Sequence, residues 1–154
     1  MFNLKSRNKE IIHFAFRKID FHNSGIANTT ALTIEHLAPQ NPSDESNEYW
    51  NSMVGNCSSG IDQDYSDWVH NWGNLSLLEI EIQLEVLNHD WKRKTSDTGL
   101  INSTFKLTNE LATLPDWTEE LIVSRGKWIF ERIKELTGLK FLTTNSEIVK
   151  KTFF

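Results

Sequence analysis

The sequence predicts an α+β fold: a mostly helical chain with one small strand–loop–strand–helix unit set among the helices. Three observations carry this. Two short apolar runs, "ALTIEHL" (31–37) and "GNLSLL" (73–78), have the length and composition of strands. The first opens into an Asn/Ser/Asp-rich stretch, and the second runs straight into a segment of helical character. Outside this unit, capping residues and a period near 3.6 dominate.

Residues 6–20, "SRNKEIIHFAFRKID", read as a helix that Ser6 can cap, with Ile11, Ile12, Ala15 and Ile19 as its apolar face. From Pro39 to about Gly60 turn-forming residues predict loop, with a helical turn near Trp50. "IDQDYSDWVHNW" (61–72) reads as a short helix before the turn glycine Gly73. "EIEIQLEVLNHDWKRK" (79–94) reads as one continuous helix. Its Ile80, Leu84, Leu87 and Trp91, at steps of four, three and four, form one apolar stripe. "STFKLTNELATL" (103–114) is a further helix or helical turn. "DWTEELIVSRGKWIFERIKELTG" (116–138) carries the strongest signals. Asp116 is its expected cap, Glu119 completes a capping-box pattern and Gly138 ends it. Trp128, Ile129, Ile133 and Leu136 are expected to be core. The arrangement is one domain over 1–154, with the small unit at about 32–95, the C-terminal helices at about 103–138 and a tail at 139–154.

A chain of 154 residues with six Trp and nine Phe can bury a sizeable core. The single cysteine, Cys57, excludes an internal disulfide and a cysteine-based zinc site, and fits a reducing compartment, the cytoplasm. The sequence holds no stretch of signal-peptide or membrane-span character, so the "NCS", "NLS" and "NST" triplets read as chance sequons. The net charge of −5 argues by itself against nucleic-acid binding. The charge is unevenly distributed, and from charge alone a solvated acidic loop is the preferred reading. Residues 1–30 carry five Lys/Arg and two acids, residues 31–90 eleven acids and no Lys or Arg, and residues 91–154 eleven Lys/Arg and eight acids. An acidic middle between more basic flanks suits a cation in the centre and phosphates at the edges, although a solvated acidic loop would look the same.

The chemistry-bearing residues cluster in the small unit. "TIEHLAPQNP" (33–42) sets Glu35 beside His36, with Pro39 and Pro42 after them. Phosphodiester hydrolysis needs a base, for which imidazole suits neutral pH, and oxygen donors for a hard divalent cation. Together, Glu35, His36 and Pro39, then Gly73, Asn74, Leu75, Leu77 and Leu78, then Lys94, with Ser103, Phe105, Trp117 and Arg125 further on, resemble the HNH nuclease domain at the C-terminal end of GmrSD-type modification-dependent restriction proteins. The resemblance runs from about residue 8 to residue 138.

The resemblance implies a ββα-metal finger that cuts DNA with Mg²⁺ or Mn²⁺. His36 would be the general base, Glu35 a metal ligand, and Asn74 the residue that fixes the orientation of His36. Lys92, Arg93 and Lys94 would grip phosphates, or else favour the end of a helix dipole. The family's second ligand is an Asn on the helix after the second strand. A gapless count from Gly73 puts Gln83 at that place, whereas the nearest Asn is Asn88. On one continuous helix the two point apart, and Gln83 shares a flank with Asp90 and Lys94, which favours Gln83. In a regular strand Glu35 and His36 point to opposite faces, so they serve one site only where the strand ends or bends. His70 and His89 are spare candidates, and Arg125 is expected to be structural. The resemblance also implies DNA as substrate and a large N-terminal-type restriction domain, or a separate subunit, as partner. Two rival readings stay open: a finger that binds DNA or a partner chain without cutting, and a small helical interaction domain whose Glu–His pair is incidental.

Overall fold

The computed structural model describes residues 6–55, 65 and 68–138. Its order of elements is α1 (Ser6–Ser24), β1 (Thr33–His36), α2 (Asn47–Val54), a 3₁₀ turn (Trp72–Asn74), β2 (Leu75–Leu78), α3 (Ile80–Val86), α4 (Trp91–Lys94), a second 3₁₀ turn (Leu100–Asn102), α5 (Lys106–Asn109), a third (Glu110–Thr113) and α6 (Glu119–Thr137). The fold is α+β and mostly helical, as predicted. Among the described residues no helix is long and apolar enough to cross a membrane.

The two strands pair antiparallel with Glu35 opposite Ser76 and His36 opposite Leu75. β2 is buried along its whole length, which its Leu-rich sequence suits. The sheet sits between two cores. Leu75 and Leu77 pack with Phe16 and Ile19 of α1, Phe105, and Ile129 of α6. Leu78 and Leu37 join Trp50, Val86, Trp91 and Trp117. On α1 the buried stripe is Ile12, Ala15, Phe16 and Ile19, at helical spacing, while Ile11 is half exposed. Ile12, Ala15 and Ile19 of the expected face are thus buried, with Phe16 in the place of Ile11.

α6 is pressed onto the turn before β2. A Cβ on Gly73 would lie 1.8 Å from the Ile122 carbonyl oxygen, so only glycine admits this approach. Ile122, Gly126 and Ile129 form the buried stripe; Trp128, expected in the core, is 41% exposed. The α6 cap is Thr118, which accepts from the Leu121 N–H, rather than Asp116, while Gly138 ends the helix at φ 64° as expected.

The segment 79–94 departs most from expectation. It is two helices, not one. Leu87 takes φ 27°, a conformation leucine rarely adopts, and the chain turns there. The cause is local and tertiary together. Asn88, His89 and Asp90 favour turns and caps, and the Asp90 carboxylate accepts from the Arg93 N–H to start α4. The carbonyls released by the break find donors in the segment around α2. Asn88 O accepts from Ser46 Oγ at 2.6 Å, and His89 O from Trp50 Nε1 at 3.1 Å. Ile80, Leu84 and Leu87, the expected core stripe, are 47%, 61% and 49% exposed, and only Trp91 of that stripe is buried. The helix near Trp50 is α2, two turns rather than one. Most of the helix expected at 61–72, and the tail at 139–154, lie outside the described residues.

Candidate functional site

The site is built outward from Asn74. Its side chain is fully buried and makes four hydrogen bonds. Oδ1 accepts from Ala38 N at 2.8 Å and from Trp117 Nε1 at 3.0 Å. Nδ2 donates to Ala38 O at 2.8 Å and Val69 O at 3.0 Å. Its backbone oxygen takes the Leu37 N–H at 2.9 Å. A primary amide can both donate and accept, so one side chain ties both backbone groups of Ala38 to β2. The strand β1 ends at His36, and the chain is held immediately after it. Asn74 thus holds the backbone two residues beyond His36, and its hydrogen bonds do not reach the imidazole itself. Arg125 secures the other side. It donates to the Gly73 and Leu75 carbonyls at 2.7 and 2.6 Å and lies against the Phe16 and Trp117 rings. Burial holds its pKa down to about 9, and it stays charged at neutral pH. Its role here is structural.

His36 closes the strand with its ring toward the Gln40 amide, Nε2 to Nε2 at 3.3 Å, and edge-on to His70 at 5.6 Å between ring centres. Burial, then the positive potentials of His70 and Lys94, push its pKa down to about 4. The imidazole is therefore neutral at pH 7.

Glu35 points the other way, as alternation in a strand requires. It is buried, with Oε1 2.5 Å from Lys94 Nζ and Oε2 3.0 Å from Gln83 Nε2. The same Lys94 Nζ donates to the His36 carbonyl at 3.2 Å. Gln83 also donates to Ile34 O at 3.3 Å, and its Oε1 accepts from Thr33 Oγ1 at 2.9 Å. Glu35 and Gln83, the two expected ligands, are thus brought together. Among the described residues no three His, Cys, Asp or Glu side chains converge on a metal position, so any cation here would rest on a carboxylate and an amide.

Gln83 and His36 meet again at a cleft of about 620 Å³, lined also by Thr33 and Gln40 and, from α1, by Lys9 and His13. Burial and Arg17 hold the His13 pKa below the usual histidine range. The residues on opposite faces of β1 are joined through Gln83, which touches Glu35 at one end and reaches the cleft that holds His36.

One expectation is overturned. Lys94, expected to grip phosphates, is fully buried, and its ammonium is turned inward onto Glu35. Burial lowers its pKa, and Glu35 acts against that. Lys92 and Arg93 remain on the surface, Arg93 at 3.4 Å from Glu85. The shared flank of Gln83 and Lys94 exists only on an unbroken helix, and the helix is broken at Leu87. Gln83 and Lys94 do meet at Glu35, but because the chain turns at Leu87. Asn88 is exposed in that turn, and Asp90 serves as a cap. Lys9, His13, Thr33 and Gln40 join the cleft, and Glu79 is a further buried acid, without a sequence signal that marks them. The Glu79 carboxylate accepts from Ser103 Oγ at 2.8 Å and Thr104 N at 2.8 Å, which explains why serine and not alanine stands at 103. No local pattern marks Lys9 or His13; they arrive from α1 by folding.

No curated protein and no solved structure matches the chain. The family described as "GmrSD restriction endonucleases, C-terminal domain" matches residues 2–132, which takes in the Asn74 clamp, both walls of the cleft and the start of α6 through Arg125. The chain therefore belongs to the family of C-terminal domains of GmrSD restriction endonucleases.

Proposed function

We propose that this domain is an HNH-type, metal-dependent DNA endonuclease that acts in the cytoplasm against foreign or modified DNA, together with an N-terminal-type restriction domain or subunit. One observation carries the reading: Glu35 and Gln83 lie 3.0 Å apart, and Gln83 shares one cleft with His36. A carboxylate, an amide and a neutral imidazole are what hydrolysis of a phosphodiester asks of a protein.

A carboxylate and an amide oxygen are donor types that a hard cation takes, although as folded Lys94 Nζ and Gln83 Nε2 occupy the two Glu35 oxygens. Here the Gln83 nitrogen faces Glu35 and its oxygen faces Thr33. Amide oxygen and nitrogen have nearly the same shape, and the Thr33 hydroxyl can donate to one or accept from the other. The nitrogen also donates to Ile34 O at 3.3 Å, so ligation of a cation beside Glu35 requires the amide to turn over and give up its bonds to Ile34 and Glu35. A Mg²⁺ or Mn²⁺ ion held by Glu35 and Gln83 would supply stabilisation of the charge on phosphorus and on the departing oxygen.

The remaining work falls to the chain. His36, neutral at pH 7, takes the proton of a water at Nε2, where the exposed Gln40 amide now donates. Asn74 keeps the imidazole in place through the backbone of Ala38. Lys9, exposed on the facing wall, meets a phosphate of the strand being cut. Lys92 and Arg93 hold the DNA backbone farther out.

A second reading is a finger that binds DNA or a partner chain without cutting. The Lys94–Glu35 pair favours it, because it neutralises the one carboxylate in the ligand set. Plasmid nicking in Mg²⁺, Mn²⁺ and EDTA separates the two. Endonuclease activity requires nicking in metal that EDTA and His36→Ala both abolish. DNA binding with no nicking at any metal concentration establishes the second reading.

A further inference from the structure

We propose that the exposed apolar face of α1 is the surface on which two copies of this chain pair, antiparallel and about a two-fold axis. Ile11, Phe14 and Phe21 are 50%, 60% and 53% exposed. At helical spacing they share one side of α1 with Lys18, which stands at the remaining step of the row. That side faces neither of the neighbours that α1 already has. The core takes Ile12, Ala15, Phe16 and Ile19, and the cleft takes Lys9 and His13. The centre of the row lies about 135° round the helix from each of these sets. Pairing on this face therefore covers apolar surface and leaves the cleft open. Exposed apolar residues scattered singly are ordinary, whereas two Phe and an Ile in one row make a patch.

The charges beside the row decide the occupant. Glu10 and Lys18 are both exposed, and among the described residues neither has an ion-pair partner. They stand at equal steps before and after Phe14. A face with an acid and a base spaced evenly about its centre is complementary to itself turned end to end. In that pairing Glu10 of each copy lies beside Lys18 of the other, the two Phe14 rings meet, and Ile11 packs on Phe21. A parallel pairing sets Glu10 on Glu10 and Lys18 on Lys18. The exposed row of α3, Ile80 and Leu84 with Leu87 after it, lacks this property. It stands with Glu81 and Glu85 and no base of its own helix, so a second copy would meet acid with acid. One helix face falls well short of the roughly 800 Å² per partner of a standard interface, so the pair is weak and forms at high local concentration. It relates two clefts by a two-fold axis, the symmetry that also relates the strands of a duplex.

The test is sedimentation equilibrium of the full chain up to about 500 μM, in low salt so that exposed charges are little screened. A reversible monomer–dimer equilibrium is expected. A chain that stays monomeric throughout, or that assembles beyond a dimer, overturns the proposal. Phe14→Ser should raise the dissociation constant about tenfold or more, since it empties the centre of the contact. An unchanged constant in that variant overturns the proposal. Glu10→Lys and Lys18→Glu each set like charges together and should weaken the dimer about threefold or more. The chain carrying both reversals regains opposite charges in the antiparallel arrangement and should dimerise as the parent does. A doubly reversed chain no tighter than the single variants overturns the antiparallel pairing. Circular dichroism checks the fold of each variant. If Phe14→Ser does not fold, the charge reversals decide, because they change only exposed positions.

Discussion

Trp117 donates its indole N–H to the Asn74 side chain at 3.0 Å across 43 residues of sequence, and its ring stacks on Trp91 at 5.1 Å. A residue just before α6 therefore completes a clamp whose other arm holds the end of β1. Trp117→Phe keeps a ring in the stack and deletes one bond. It should cost about 1 kcal/mol. Asn74→Ala orphans several buried backbone groups at once and should cost at least about 3 kcal/mol. Urea denaturation of both variants checks the ranking; equal costs would mean that the clamp is not the structural centre.

The Glu35–Lys94 pair gives a second expectation. Removing one partner leaves a buried charge alone, so Lys94→Ala should destabilise by about 3–5 kcal/mol. Glu35→Gln combined with Lys94→Met should cost much less than the sum of the single changes. A double-mutant cycle by chemical denaturation measures this. Additive costs would show that the two groups are not coupled.

His36 makes stability depend on pH. Its pKa is about 4 in the folded chain against 6.5 when exposed. Between these values the unfolded chain takes up a proton that the folded chain does not, so this term lowers stability as pH falls from 6.5 toward 4 and is flat above. His36→Gln should remove that slope in a pH series of melts. In the same range the base stays deprotonated, so His36-dependent nicking should hold down to about pH 5. His36→Ala should abolish nicking while moving the melting temperature by only a few degrees, because the ring lines a cleft instead of filling a core.

Gln83 sets the geometry beside Glu35. Its side chain is one methylene longer than asparagine, and Mg²⁺ tolerates little error in distance. Gln83→Asn should lower the metal concentration needed for half-maximal nicking, and Gln83→Leu should abolish nicking. Asn88→Ala should change little, since Asn88 is exposed in the turn after α3. Metal-titrated nicking rates rank the three, and a lethal Asn88→Ala would contradict this placement.

Lys9 is expected to make one phosphate contact. Lys9→Ala should reduce the salt dependence of DNA binding by about one ion-equivalent. Anisotropy titrations at several salt concentrations read this directly, with Lys9→Arg restoring the slope; an unchanged slope for Lys9→Ala would place the DNA elsewhere.

The sequence by itself determined the features that rest on neighbouring residues. The strand at Thr33–His36, the strand at Leu75–Leu78 and the long helix ended by Gly138 were legible because alternation, turn chemistry and capping act over a few residues. The ordered pattern of Glu35, His36, Gly73 and Asn74 also carried the family. The tertiary structure decided which faces are buried and where charges end. Ile80, Leu84 and Leu87 have a core-like spacing yet lie exposed, while Lys94, a surface residue by composition, is sealed against Glu35. The break at Leu87 joins a local turn and cap at Asn88–Asp90 to Ser46 and Trp50, some forty residues earlier, which satisfy the carbonyls it releases. Periodicity specifies that a helix has a side to bury, but not which partners meet it; burial, ion pairing and the cleft between α1 and β1 are settled by contacts that only the folded chain makes.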